Sequence, residues 1–157
     1  MSSSRRRAQS AIEVLFILAI ILAGVLVVTP SYLNENTAMS AVSYVRTSAS
    51  DACAYLNTGV VNNESIYSPL NAIITASNYT YRAFQLAGVR SADVNGTMQI
   101  NVTITYAGAG LPEATVEANI KQYIEDDLVS KTNVVRENGK LYLRGREIEI
   151  NVDVVRR

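Results

Sequence analysis

Arg5-Arg6-Arg7-Ala8-Gln9-Ser10-Ala11-Ile12-Glu13 runs directly into fifteen uninterrupted apolar residues, Val14 to Val28. A hydrophobic segment led by positive charge enters a membrane with its N-terminus on the cytoplasmic side. Counted from Ala11 to Thr29 it approaches the roughly 20 residues that span a bilayer. A cleavable export signal carries its small residues after the apolar core. Here Val27-Val28-Thr29-Pro30 is a poor site of that kind, and a small residue, Ala8, lies before the core instead. Arg5-Arg6-Arg7-Ala8 also lacks the residues that usually follow a twin-arginine pair. The core helix of a soluble protein is seldom apolar on every side. The stretch therefore reads as a membrane-inserted helix. Glu13 is its odd residue, because a carboxylate at the head of an apolar run is costly in lipid and wants a partner.

The composition narrows the remainder. A length of 157 residues fits one compact domain with an appendage. The formal charge is zero, but without Arg5, Arg6 and Arg7 only 11 basic residues face 14 acidic ones. That leaves no basic patch for phosphates and argues against a nucleic-acid partner. The chain has no histidine, so the usual general base and the commonest zinc ligand are missing. Cys53 is the single cysteine. It cannot form an internal disulfide and reads as a small buried apolar side chain.

The residues from Arg5 to Pro30 resemble archaeal type IV pilin precursors with a class III signal peptide. In that family a prepilin peptidase cuts between a short basic leader and a glutamine, and the hydrophobic helix stays on the mature protein. The resemblance implies a cut between Ala8 and Gln9. Glu13 then becomes the fifth mature residue, where the family places its glutamate and where it meets the amino terminus of a neighbouring subunit during assembly. Pro30 becomes the twenty-second, near the helix-bending proline of bacterial relatives. The family's usual serine stands two residues after the glutamine; here Ser10 follows directly and Ala11 takes that place. The implied partners are other copies of the chain in a helical filament, the prepilin peptidase, an assembly ATPase and a membrane platform protein. The membrane serves as the storage site.

Beyond Pro30, Ala38, Met39, Val42, Val45, Ala49, Ala52, Cys53 and Leu56 recur every three or four residues, a helical stripe. Ser43, Arg46, Ser50 and Asp51 lie mostly off it, so this half is amphipathic, with one face for a head. A helix from Gln9 to Leu56 would be about 72 Å long, more than twice the bilayer core. Pro30 should kink or loosen it, and Thr58-Gly59 ends it. The expected organisation is a leader over 1–8, a long helix over 9–58 and an extracellular head over 59–157.

Within the head a short helix is expected near Leu70 to Ala76 and a strand over Tyr81 to Val89. Asn95-Gly96 is a turn signal. Met98, Ile100, Val102, Ile104 and Tyr106 alternate with polar residues, the pattern of a half-buried antiparallel strand. Pro112-Glu113 opens a helix to about Ser130, whose apolar stripe is Val116, Ile120, Tyr123, Ile124 and Leu128. A strand at Val134 to Arg136, a turn over Glu137-Asn138-Gly139-Lys140 and a strand at Leu141 to Leu143 follow. Arg146 to Val155 places Ile148, Ile150, Val152 and Val154 inward. The fold class is thus α+β: a long N-terminal hydrophobic helix, then a small head with an antiparallel β-sheet and one packed helix.

Four N-glycosylation sequons begin at Asn63, Asn78, Asn95 and Asn101. Glu113, Glu117, Glu125, Asp126 and Asp127 resemble a calcium cluster only loosely. Glu117 with Lys121, Lys121 with Glu125, and Asp127 with Lys131 are spaced as helix-surface ion pairs. Arg144, Arg146, Arg156 and Arg157 make the C-terminal strands mildly basic, a solvated face or a contact for the acidic helix of a neighbour. Nothing resembles a catalytic constellation, a phosphate loop, or a metal or cofactor site. The expected function is that of a structural subunit of a type IV pilus-like adhesive filament, not an enzyme. The alternative is a single-span surface protein or minor adhesin that never polymerises.

Overall fold

The computed structural model describes the backbone of residues 2–77, 83–107 and 111–157, and their side chains apart from 2–11, 31, 33, 34 and 83. The expected start of the first strand at Tyr81 and the sequon at Asn78 lie outside the described residues. Two compact units divide the chain, Met1–Thr37 and Ala38–Arg157. Helix α1 (Ser2–Thr58) contributes to both. It ends as expected: Gly59 takes φ +64°, and the Thr58 hydroxyl donates to the Tyr55 carbonyl at 2.7 Å.

The second unit holds residues 38–58 of α1, a 3-10 turn at Ser65–Tyr67, α2 (Ser68–Ala76), β1 (Ala83–Val94), β2 (Thr97–Ala107), α3 (Glu113–Lys131), β3 (Val134–Glu137), β4 (Lys140–Leu143) and β5 (Arg146–Arg156). The class is α+β, with one five-stranded sheet in the order β1-β2-β5-β4-β3. In one respect the sheet departs from the expectation of an antiparallel one. Its central pair, β2 with β5, is parallel, with Met98 opposite Ile148 and Tyr106 opposite Arg156. The cause is the connection. A tight turn can join only antiparallel strands, whereas the α3 crossover carries the chain to the far edge, and the β3–β4 hairpin then returns it to the middle.

All three hairpins close on two-residue turns with both residues at positive φ: Asn95-Gly96, Asn138-Gly139 and Arg144-Gly145. These are type I′ turns, whose twist matches that of the strands. The first two carry the Asn-Gly signature. Arg144-Gly145 does not, and it was not legible as a turn.

The inward faces of β2 and β5 match the alternation: Met98, Ile100, Val102, Ile104 and Tyr106 are buried, as are Ile148, Ile150 and Val154, while Val152 is half-buried against the core. Strand β1 needs a correction in register. Phe84 and Val89 both face inward although five positions separate them, which regular pleating forbids. A bulge at Ala87 supplies the extra residue: Leu86 pairs with Ile104, and Gly88, not Ala87, pairs with Thr103. Phe84 then stacks on Tyr106 with ring centres 5.5 Å apart.

On α1, Val45, Ala49, Ala52, Cys53 and Leu56 are buried as the stripe requires. Met39 is 65% exposed, and Ala41 is buried instead. The two differ by about 200° around the helix, so one of them had to face water. The core thus lies between one face of the sheet and helices α1, α2 and α3.

Candidate functional site

In the first unit every described side chain from Ile12 to Pro30 is exposed, including Leu15, Phe16, Ile20, Leu22 and Leu26. The apolar residues cover the whole circumference. This one helix is long and apolar enough to cross a membrane. Glu13 is exposed at its head. The backbone of Ala8 and Gln9 belongs to α1, and their side chains lie outside the described ones. Pro30 sits inside the helix, which continues through it. Pro30 has no N–H for the Leu26 carbonyl. One residue earlier, the Thr29 hydroxyl donates to the Val25 carbonyl at 2.7 Å. Both features weaken the ladder in the same turn.

In the second unit the sequons fall in three settings. Asn63 is exposed in the coil after α1. Asn95 occupies the β1–β2 turn at φ +52°. Asn101 is exposed on the solvent face of β2, and its Oδ1 accepts a hydrogen bond from Asn151 Nδ2 at 3.3 Å.

The acidic helix α3 is occupied by internal contacts. Arg136 pairs with Glu125 at 3.3 Å and Asp126 at 3.0 Å, and Lys121 lies 3.9 Å from Glu125. Glu117 does not pair with Lys121 as its spacing predicted. Its Oε1 accepts the Val154 N–H at 3.1 Å, on the side of β5 that the short strand β4 leaves uncovered. Among the described residues no group of three or more carboxylates or cysteines is placed to hold a metal. Two of the four C-terminal arginines are also engaged internally. Arg146 pairs with Asp93. Arg156 donates to the Tyr106 hydroxyl and the Leu111 carbonyl, both at 2.9 Å through Nη2, and lies 3.7 Å from Glu113 of its own chain's acidic helix.

Asp127 is the residue that sequence spacing misplaced. It is 3% exposed, not on the surface. Its Oδ2 accepts the Ser48 hydroxyl of α1 at 2.5 Å, and Lys131 Nζ stands 2.7 Å from Oδ1 as a charge contact without directed hydrogen-bond geometry. The signal was present: Asp127 continues the stripe of Ile120, Tyr123 and Ile124, and Ser48 lies between Val45 and Ala49. Beside this lock Tyr55, Tyr67 and Tyr123 stack, with successive ring centres at 4.4 and 5.7 Å. The Tyr55 hydroxyl donates to Asn71 Oδ1 at 2.5 Å and accepts the Asn62 N–H at 2.7 Å.

Burial drives the titration shifts. It raises the Tyr123 hydroxyl far above its usual range, with Asp127 adding to the effect. It also pushes the Cys53 thiol up to about 11. Lys131 is raised mainly by its contact with Asp127. Ser48 is 3% exposed and turned onto Asp127, where no substrate reaches its hydroxyl. The arrangement locks two helices together and supplies no accessible nucleophile there.

No protein family, curated protein or solved structure matches this chain.

Proposed function

We propose that the chain is the precursor of a type IV pilin-like subunit, inserted in the membrane through its apolar helix and assembled through that helix into a surface filament after its leader is removed. The observation that carries this reading is the contrast between the two units. The head closes its own core, with Ile100, Val102, Ile104 and Ile120 fully buried. The helix from Ile12 to Val28 leaves apolar side chains exposed around its entire circumference.

Burying one such side chain is worth about 1.5–3 kcal/mol. Eleven of them from Val14 to Val27 represent on the order of 20 kcal/mol, a cost no soluble monomer can carry. A bilayer covers them, and so does a bundle of sister helices. Exchange between the two is near even, because each removes the same surface from water. The helix can therefore be stored in lipid and later drawn into a filament. Glu13 fits this scheme as a registering charge: a pair in low dielectric is favourable only when both partners are in place. Contacts that repeat head to tail without closing generate an open helical polymer. The role is mechanical: a filament core of helices decorated by heads outside the cell, with surface attachment as the expected use.

Mass spectrometry of the mature N-terminus tests the reading. A chain beginning at Gln9 is expected. A chain beginning at Met1, or beyond Thr29, overturns it.

A further inference from the structure

The sequon Asn101-Val102-Thr103 lies beside a hollow of about 460 Å³ on the solvent face of the sheet, lined by Ala87, Gly88, Arg90, Asn101 and Thr103. The β1 bulge creates it. Resetting the register places Gly88 opposite Thr103 and Arg90 opposite Asn101. Gly88 leaves empty the space that a side chain would take, and a Cβ added there meets nothing within 4 Å. Asn101 Oδ1 accepts from Asn151 of β5, which leaves the amide nitrogen outside that contact, and Asn101 itself lines the hollow. Arg90 is exposed and forms no ion pair with any carboxylate among the described residues. Its fork of N–H donors is free to meet neutral hydroxyls. Neither Asn63 nor Asn95 lines this hollow.

We infer that Asn101 carries an N-linked glycan whose first sugar seats in the hollow over Gly88 and against Arg90. The inference rests on the head lying outside the cell, as proposed above. In the transfer, Asn101 Nδ2 attacks the anomeric carbon of an oligosaccharide activated on a lipid phosphate. The N–C1 bond forms, the C1–O bond breaks, and the phosphate leaves with the bonding pair. One amide proton passes to the transferase's base. Oδ1 is unchanged, so the bond from Asn151 survives modification. Because β2 is paired on both sides, transfer precedes closure of the sheet. The seated sugar then adds contacts to the folded head that a glycan at Asn63 or Asn95 does not.

The test uses full-length protein purified from its native cells. Trypsin leaves Asn95 and Asn101 on one peptide, Ser91 to Lys121, so electron-transfer fragmentation is needed to place the sugar. The glycan is expected on Asn101. The glycosylated protein is also expected to unfold at a higher temperature than the same chain made in bacteria without glycans. Gly88→Val should keep the site occupied and abolish that gain, by filling the seat. A bare Asn101 overturns the inference, and so does a thermal gain that Gly88→Val leaves intact. Bare Asn101 on chains that begin at Gln9 sinks this inference alone; chains beginning at Met1 or beyond Thr29 sink the filament reading, whatever Asn101 carries.

Discussion

Replacing Asp127 by alanine should be among the most damaging single changes on the head's helical surface, although its neighbour Asp126 carries the same charge. Asp127 is 3% exposed and accepts the Ser48 hydroxyl at 2.5 Å. Losing a charged hydrogen bond costs about 1.5–3 kcal/mol, and the Ser48 hydroxyl left buried without an acceptor adds up to about 1–3 kcal/mol, in part the same energy. Lys131 contributes little, because its side chain is 56% exposed and turns to water when its partner is gone. The expected loss is about 2–4 kcal/mol. At roughly 3–5 °C per kcal/mol for a unit of this size, the midpoint should fall by about 6–20 °C. Asp126→Ala, which removes a half-exposed contact to Arg136, should cost less than about 1 kcal/mol. The assay is urea unfolding of the full chain in detergent micelles. Near-ultraviolet dichroism of the Tyr55–Tyr67–Tyr123 stack serves as reporter, since the chain has no tryptophan. Ser48→Ala and the double variant complete a cycle whose coupling should be about 1–2 kcal/mol. Additivity to within about 0.5 kcal/mol, or equal losses for Asp126→Ala and Asp127→Ala, would refute the reasoning.

Three further outcomes follow from named groups. The Cys53 thiol is raised from 9.0 to about 11 by burial, so its contribution is fully present below pH 9 and is lost as pH rises through 11, roughly 2–3 kcal/mol in all. Alkaline unfolding curves of Cys53→Ala should be flatter over that window, and identical slopes would contradict the assignment. Gly139 sits at φ +79° with open space around a would-be Cβ, so Gly139→Ala should cost about 1 kcal/mol through backbone strain alone; an unchanged denaturation midpoint would exclude it. Under the filament role proposed above, Glu13→Ala should be cut at the leader normally yet yield far fewer filaments in sheared-cell pellets, and a normal yield would remove its registering role.

An unbroken apolar run identified the N-terminal helix, alternation gave β2 and β5, helical spacing gave the stripe on α3, and residue type gave the Asn-Gly turns, because each is a signal local to one element. The four sequons were likewise visible as strings. The parallel pairing of β2 with β5 was not, because it depends on where the α3 crossover delivers the chain, and no local pattern encodes that. The bulge at Ala87 escaped for a similar reason: Phe84 and Val89 must both face the core, and only their shared partners on β2 make that a requirement. Asp127 looked like half of an ordinary surface pair until packing brought Ser48 against it from a helix 79 residues away in sequence. Glu117, spaced for Lys121, instead satisfies a backbone N–H of β5 that the short β4 cannot reach. What the sequence determined by itself was, for most elements, which side avoids water, with Met39, Asp127 and the bulged strand β1 as the exceptions. Which polar groups are buried together, and where the sheet leaves a hollow, was decided only by tertiary structure, since those depend on the distances between elements that share no local sequence.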